Sequence, residues 1–302
     1  MIMKTLTVLL ASATIFVCIS GCGIATFPQA ESDDRVEKSF AVSSGGQLTV
    51  NADRGSIEVA ATDGEMVKVE VTREARAATE AEAKELLRDH ELTFNHQGDK
   101  VEITAKYKGD RRSSDGFRHQ LQVHYQISVP RKYNIDLKTA GGAITVSDLA
   151  GNVKVETAGG GLHIGRIQGP VWARTSGGRV ALGGATEVAD LMTSGGGIAV
   201  DDVGSVINAR TSGGSITARF ATQPKGDCSL HTSGGSIRAD LAEKIAVELD
   251  AQTSGGRVVS DLPVTMTLNG EQRSGHLHGK INGGGPALVL KTGGGNIHLR
   301  KF

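Results

Sequence analysis

Two aspartates raise the first chemical question. Asp202 and Asp240 fall at the same corner of an internal repeat, two repeats apart. If the repeats stack as strands about 4.8 Å apart, their carboxyl groups stand roughly 10 Å from one another. That is near the ~6.5–9.5 Å an inverting glycosidase leaves between its acid and its base. The same corner carries Asp148, Arg166, Arg219 and Asp261, so an acidic cluster on a stacked scaffold is one route to a polysaccharide-processing enzyme. Aspartate is equally an ordinary turn residue whose carboxylate accepts from local amides, and that use requires no substrate.

The remaining reactive side chains point away from catalysis. Glycine runs can cradle phosphate, but these lack the Gly-x4-Gly-Lys-Ser/Thr pattern and recur in every repeat, as corners do. His276 and His278 share one face of a strand, yet no acid or cysteine joins them at metal-ligand spacing. His163 and His298 occupy equivalent positions that the chain order separates by seven repeats. Cys228 sits where other repeats carry Ile, Val or Leu and reads as a small core residue. No catalytic residue, metal site or cofactor is expected.

A different constellation suits binding. Trp172 is the only tryptophan, and it falls in an outward column otherwise filled by Asp136, Lys154, Asp190, Asn208, Ser229, Asp250 and Val289. Beside it runs Lys138, Glu156, Arg174, Met192, Arg210, His231, Gln252 and Lys291. Aromatic and arginine side chains on a flat surface are common anchors for a protein or glycan partner. Trp172, Lys138, Arg174, Arg210 and His231 are the candidate contact residues. A loop with Arg111, Arg112, Arg118 and His119 is a second basic feature.

The elements that must carry these residues follow from a repeated phrase, Thr-small-Gly-Gly-x-aliphatic. Its threonines stand at 139, 157, 175, 193 and 211, then at 232, 253 and 292, with a degenerate copy at Arg273–Leu277. A near-constant period of 18–21 residues marks a solenoid. The residues four and two before each threonine are Ile135/Leu137, Val153/Val155, Val171/Ala173, Ala189/Leu191, Ile207/Ala209, Cys228/Leu230, Leu249/Ala251 and Leu288/Leu290, all apolar. Five residues after it stand Ile144, Leu162, Val180, Ile198, Ile216, Ile237, Val258 and Ile297. Alternation with a period of two on both sides of the corner gives two short strands per coil, each with one face inward. About nine such coils are expected over residues 134–302, none stable alone, because a coil's few aliphatics do not offset the entropy of ordering it. The last coil would then be an exposed edge, guarded by His298, Arg300 and Lys301.

Ahead of the coils, residues 39–133 lack the period. Alternating strands at Gln47–Val50, Ser56–Val59, Met66–Val71, Lys100–Ala105 and Leu121–Val129 flank one short helix within Ala77–His90, for which Thr79 is an apt cap. This reads as an α+β cap on the solenoid. Residues 1–21 read as a bacterial lipoprotein leader: Lys4, an apolar stretch Leu6–Val17, then Ile19-Ser-Gly-Cys22. The apolar stretch is shorter than the ~20 residues of a membrane span, so Cys22 is the expected lipidation site and residues 22–38 a polar tether. Gly23 after the cysteine favours the outer membrane in a Gram-negative cell. Removal of the leader leaves 32 basic against 33 acidic residues, a balance that excludes a charge-driven nucleic-acid partner.

The strand ending Tyr125-Gln-Ile-Ser-Val-Pro130, followed by Thr-x-Gly-Gly coils, resembles the family of bacterial envelope proteins named putative adhesins, a domain of unknown function, from about Ser39 to Phe302. The resemblance implies an all-β parallel solenoid at the cell surface or in the periplasm, with no catalytic residues to carry over. The expected function is display: a lipid-anchored envelope protein, non-catalytic, presenting a sheet face to a protein or an envelope glycan. A polysaccharide-processing enzyme and a passive spacer are the alternatives.

Overall fold

The computed structural model describes residues 30–109, 120–266 and 275–302. Two sheets face one another across a single core. The front sheet runs, in stacking order, through His90–Gln97, Lys100–Tyr107, Gln47–Ala52, Asn134–Thr139, Val153–Thr157, Val171–Thr175, Ala189–Thr193, Ile207–Thr211, Cys228–Thr232, Ala287–Thr292, Val247–Thr253 and His276–Ile281. The back sheet runs through Ala30–Ala41, Met66–Ala77, Gln120–Pro130, Ser56–Thr62, Ile144–Val146, Leu162–Gln168, Val180–Ala185, Ile198–Val200, Ile216–Phe220, Ile237–Leu241, Ile297–Lys301 and Val258–Ser260. Within the coils the pairing is parallel and in register, as in Lys154↔Trp172↔Asp190. The chain is therefore an all-β parallel β-solenoid.

All sixteen apolar positions before the threonines are buried. Those five residues after it are buried as well, except half-buried Val258, which lies on the outermost back strand. The threonines themselves are buried, and each hydroxyl fastens its coil to the adjacent coil of the stack. Thr193 Oγ1 donates to the Gly178 carbonyl at 2.8 Å and accepts from Gly196 N–H at 3.3 Å. The same pair of bonds recurs at Thr157, Thr175, Thr211, Thr232, Thr253 and Thr292. The second glycine of the phrase is needed for contact, not for a positive φ. A Cβ on Gly178 would lie 2.0 Å from the Gly160 carbonyl oxygen, whereas one on Gly177 would meet nothing nearer than 3.4 Å.

At both ends the stacking order departs from the chain order. Near the N-terminus, Gln47–Ala52 and Lys100–Tyr107 pair in parallel, as do Ser56–Thr62 and Gln120–Pro130. The region before residue 134 thus supplies two further coils, and both sheets continue through it unbroken. Part of the stretch expected as a tether, residues 22–38, is strand. Ala30–Ala41 is a strand, antiparallel to Met66–Ala77. Its acidic run reads as solvated in the sequence, but Glu31 reaches Arg76 at 3.0 Å and Asp34 takes a two-pronged bond from buried Arg73.

At the C-terminus, the final coil inserts between its two predecessors: Ala287–Thr292 lies between Cys228–Thr232 and Val247–Thr253. Ile297–Lys301 is likewise paired on both sides. The expectation that the last coil forms the exposed edge is therefore corrected: at this end Val258–Ser260 is the edge of the back sheet and His276–Ile281 that of the front sheet. The degenerate copy does not make a coil either. From Gly275 on it turns back, and His276–Ile281 runs antiparallel to Val247–Thr253; Arg273 and Ser274 lie outside the described residues.

The helix spans Glu80–Asp89, capped by Thr79, which exchanges bonds with Glu82 in a capping box. Arg73 holds its other end, donating to the carbonyls of Leu87 and His90 at 3.0 and 2.6 Å.

Candidate binding face

Strand alternation sends every second residue of the front sheet outward, and two outward rows cross the rungs along the solenoid axis. One runs Asp136, Lys154, Trp172, Asp190, Asn208, Ser229, Val289, Asp250 and His278. The other runs Lys138, Glu156, Arg174, Met192, Arg210, His231, Lys291, Gln252 and His276. All five candidate contact residues therefore share one face. Lys291 was missed as the direct neighbour of His231, because that adjacency exists only through the inserted coil.

The two halves of this face differ in charge. Toward the N-terminal end the ions are paired, with Lys138 on Glu156 at 3.1 Å and Lys154 on Asp136 at 3.0 Å. At the centre, the Arg174 guanidinium stacks 4.4 Å from the centroid of the Trp172 ring, and Lys154 approaches the same ring at 5.6 Å. Such contacts are worth about 0.5–1 kcal/mol at exposed sites, which biases Arg174 toward this pose. Beyond it, Arg210 and His231 are exposed and make no ion pair among the described residues. Lys291 shares Asp250 with His276, at 3.6 and 3.2 Å. From Arg174 to His276 the second row contains no acid.

A groove of about 460 Å³ runs beside this row. Lys138, Glu156, Arg174 and Met192 form one wall, and the Thr-x-Gly-Gly corners with Ser176 and Ser194 form the other. It crosses five rungs, from Asn51 to Met192, a length of roughly 19 Å at the strand spacing.

The acidic alternative turns on Asp202 and Asp240, which differ in setting. Asp240 stays within its strand, registered between Arg219 and Arg300 and ion-paired to Arg238 at 3.2 Å. Asp202 instead leaves the sheet at the corner, where Val203 bridges Ala185, and lines a different groove with Arg166 and Lys225. The Arg219 rung stands between them, since Val203 N–H donates to the Arg219 carbonyl at 2.8 Å and Arg219 pairs in register with Asp240. Asp148 behaves as a turn residue, accepting from Arg166 N–H at 2.7 Å.

Among the described residues no three His, Cys, Asp or Glu side chains cluster at metal-binding distance. His163 and His298 are five rungs apart rather than seven repeats, again because the last coil inserts. Cys228 is buried, and burial pushes its thiol pKa up, which makes it a poor nucleophile. Cys22 and the basic loop at Arg111, Arg112, Arg118 and His119 lie outside the described residues. No described helix is long and apolar enough to cross a membrane.

Comparison with curated proteins finds no match. Among solved structures, the chain is similar to a putative adhesin of Bacteroides fragilis, with 12% identity and a TM-score of 0.46 over 89% of this chain and 97% of that one. A putative adhesin of Parabacteroides distasonis aligns with 12% identity and a TM-score of 0.43, over 88% and 97%. A putative lipid binding protein of the same species aligns with 12% identity and a TM-score of 0.30, over 88% and 96%. The family model described as Toastrack DUF4097 matches residues 42–300, and the chain belongs to that family.

Proposed function

We propose that this chain is a lipid-anchored protein of the bacterial cell envelope that binds a partner, a protein or an envelope glycan, through the outward face of its front sheet and catalyses no reaction. In this reading the leader ends before Cys22, acyl chains on that cysteine hold the protein to the membrane, and the residues up to Ala30 set the solenoid's distance from it. The supporting observation is the row from Arg174 to His276, acid-free, with Arg174 braced on Trp172 and with Arg210 and His231 unpaired among the described residues. Charges left without partners on a rigid sheet lose little entropy when a ligand pairs them. The engagement of Asp240 by Arg238 and Arg300 weighs against a paired-carboxylate enzyme.

The test is crosslinking in living cells followed by mass spectrometry, with a Trp172→Ala/Arg174→Ala/Arg210→Ala variant in parallel and a Cys22→Ser variant for the anchor. A partner captured by the native chain and lost in the triple variant is the expected result, and Cys22→Ser is expected to leave the membrane fraction. A partner profile unchanged by the triple variant would overturn this face as the binding surface; no partner of any kind would leave a passive spacer.

A further inference from the structure

We infer that this chain pairs with a second copy of itself along Ala30–Ala41. The two strands run antiparallel about a twofold axis at Val36, so the back sheet continues from one molecule into the next. This goes beyond the reading above and does not rest on it. Three observations carry it.

The first is access. Beyond the coil of Gln47–Ala52 and Ser56–Thr62, the front sheet adds two strands and the back sheet adds three. Ala30–Ala41 is the third, paired on one side only among the described residues. It projects one strand past the front sheet, so a second copy reaches it without the front sheets colliding.

The second is the backbone. Val42 N–H donates to the Glu65 carbonyl at 3.1 Å, continuing the register that sets Ala41 opposite Met66. Bonding groups alternate in direction along an antiparallel strand. The even-numbered residues of Ala30–Ala41 therefore turn theirs toward Met66–Ala77, and the odd-numbered ones, from Glu31 to Ala41, turn theirs to the open edge. A second copy bonds to that edge only when odd residues stand opposite odd ones, so the twofold axis must fall on a residue rather than between two.

The third is charge. With the axis on Val36, Arg35 stands opposite the second copy's Glu37 and Asp34 opposite its Lys38, and symmetry makes each pair twice. Glu31 and Asp33 meet Ala41 and Ser39, so no like charges stand opposite one another. An axis on Asp34, Arg35, Glu37 or Lys38 sets that charge against its own copy, and an in-register parallel pairing does so for every charge. Opposite charges directly across a strand pair attract and like charges repel. An edge guarded against association carries charges that repel on pairing, whereas this one complements its own reverse. Arg35 already holds Glu37 and Glu70 at 2.7 and 2.8 Å, and Asp34 takes the bonds of Arg73. Lys38 makes no ion pair among the described residues and is the charge that pairing would satisfy. Val36 is half-buried against the core, and the axis sets it beside its own copy. Because that axis stands perpendicular to the back sheet, both front sheets face the same way.

Disulfide trapping reads the register. Val36→Cys sets two cysteines in a pair that exchanges no hydrogen bonds, with Cα atoms about 4.5 Å apart, within disulfide reach. Lys38→Cys sets them four residues apart along the strands, roughly 14 Å, and out of reach. The full-length native chain and both variants would be oxidised in living cells and run on non-reducing gels. Sedimentation equilibrium of the full chain in density-matched detergent measures the association itself. A covalent dimer from Val36→Cys, and none from Lys38→Cys or the native chain, is expected. Lys38→Glu turns both Asp34 pairs repulsive and should weaken association roughly tenfold. Lys244→Glu, the same charge change at the other end of the solenoid, should leave it unchanged. A monomer at every concentration, with no covalent dimer from Val36→Cys, overturns the inference. A dimer trapped as readily at position 38, or one indifferent to Lys38→Glu, uses another surface or register and overturns it too.

Discussion

Replacing one rung of the threonine ladder tests what fastens the coils together. Thr193 lies in a central coil and is 2% exposed. Its hydroxyl makes two bonds to backbone groups, donating to Gly178 O at 2.8 Å and accepting from Gly196 N–H at 3.3 Å. Thr193→Val keeps the shape and raises both hydrophobicity and strand propensity, but leaves a carbonyl and an amide without that partner. A stranded buried polar group costs about 1–3 kcal/mol, so two cost roughly 2–4 kcal/mol once water at the corner relieves part of the loss. Thr193→Ser keeps both bonds and removes one methyl, for about 1 kcal/mol. At ~2–4 °C per kcal/mol for a chain of this size, valine should lower the melting temperature by roughly 5–15 °C and serine by a few degrees. Thermal and urea unfolding followed by far-ultraviolet circular dichroism measures both. A valine variant as stable as the native chain, or milder than serine, would refute the ladder and leave aliphatic packing as the fastening force.

The two glycines of the corner should separate cleanly: Gly178→Ala forces a Cβ to 2.0 Å from the Gly160 carbonyl oxygen and should prevent folding or cost more than ~4 kcal/mol. Gly177→Ala, with nothing nearer than 3.4 Å, should shift the urea midpoint little. His90 is almost fully buried, and burial, then the charge of Arg73, depresses its pKa to about 4. It is neutral in the folded chain, so the stability it contributes is complete above pH ~6.5 and is lost as pH falls toward 4, by about 3 kcal/mol. Urea midpoints across that range should therefore fall faster for the native chain than for His90→Leu. A stop codon at 285 deletes the coil that sits between Cys228–Thr232 and Val247–Thr253. The product should be insoluble or rapidly digested by protease; a soluble, resistant product would instead place that coil at the end.

The solenoid was legible because each coil repeats the same solution: aliphatics at fixed offsets from a threonine, and a glycine where the neighbouring backbone leaves no room for a Cβ. The order in which coils stack was not. Every rung carries the same inward side chains and the same Thr-Gly-Gly corner, so Thr292 fits against Thr232 as well as Thr253 does, and connection lengths decide between them. That ambiguity concealed the inserted last coil, the neighbour relation of Lys291 and His231, and the edge at Val258–Ser260. The strand Ala30–Ala41 was hidden for another reason: its acids read as solvated until Arg73 and Arg76 are seen opposite them. The outward rows were readable, because alternation fixes which side chains point out whatever the stacking order.

Arg210 and Thr217 belong to the same coil and project from opposite sheets, so a photo-crosslinking amino acid at each position, in living cells, reads the two faces at equal depth along the solenoid. Adducts at position 210 and none at 217 are the expected result. Adducts at 217, or at neither position while the protein remains folded and at the membrane, would contradict the front sheet as the binding face.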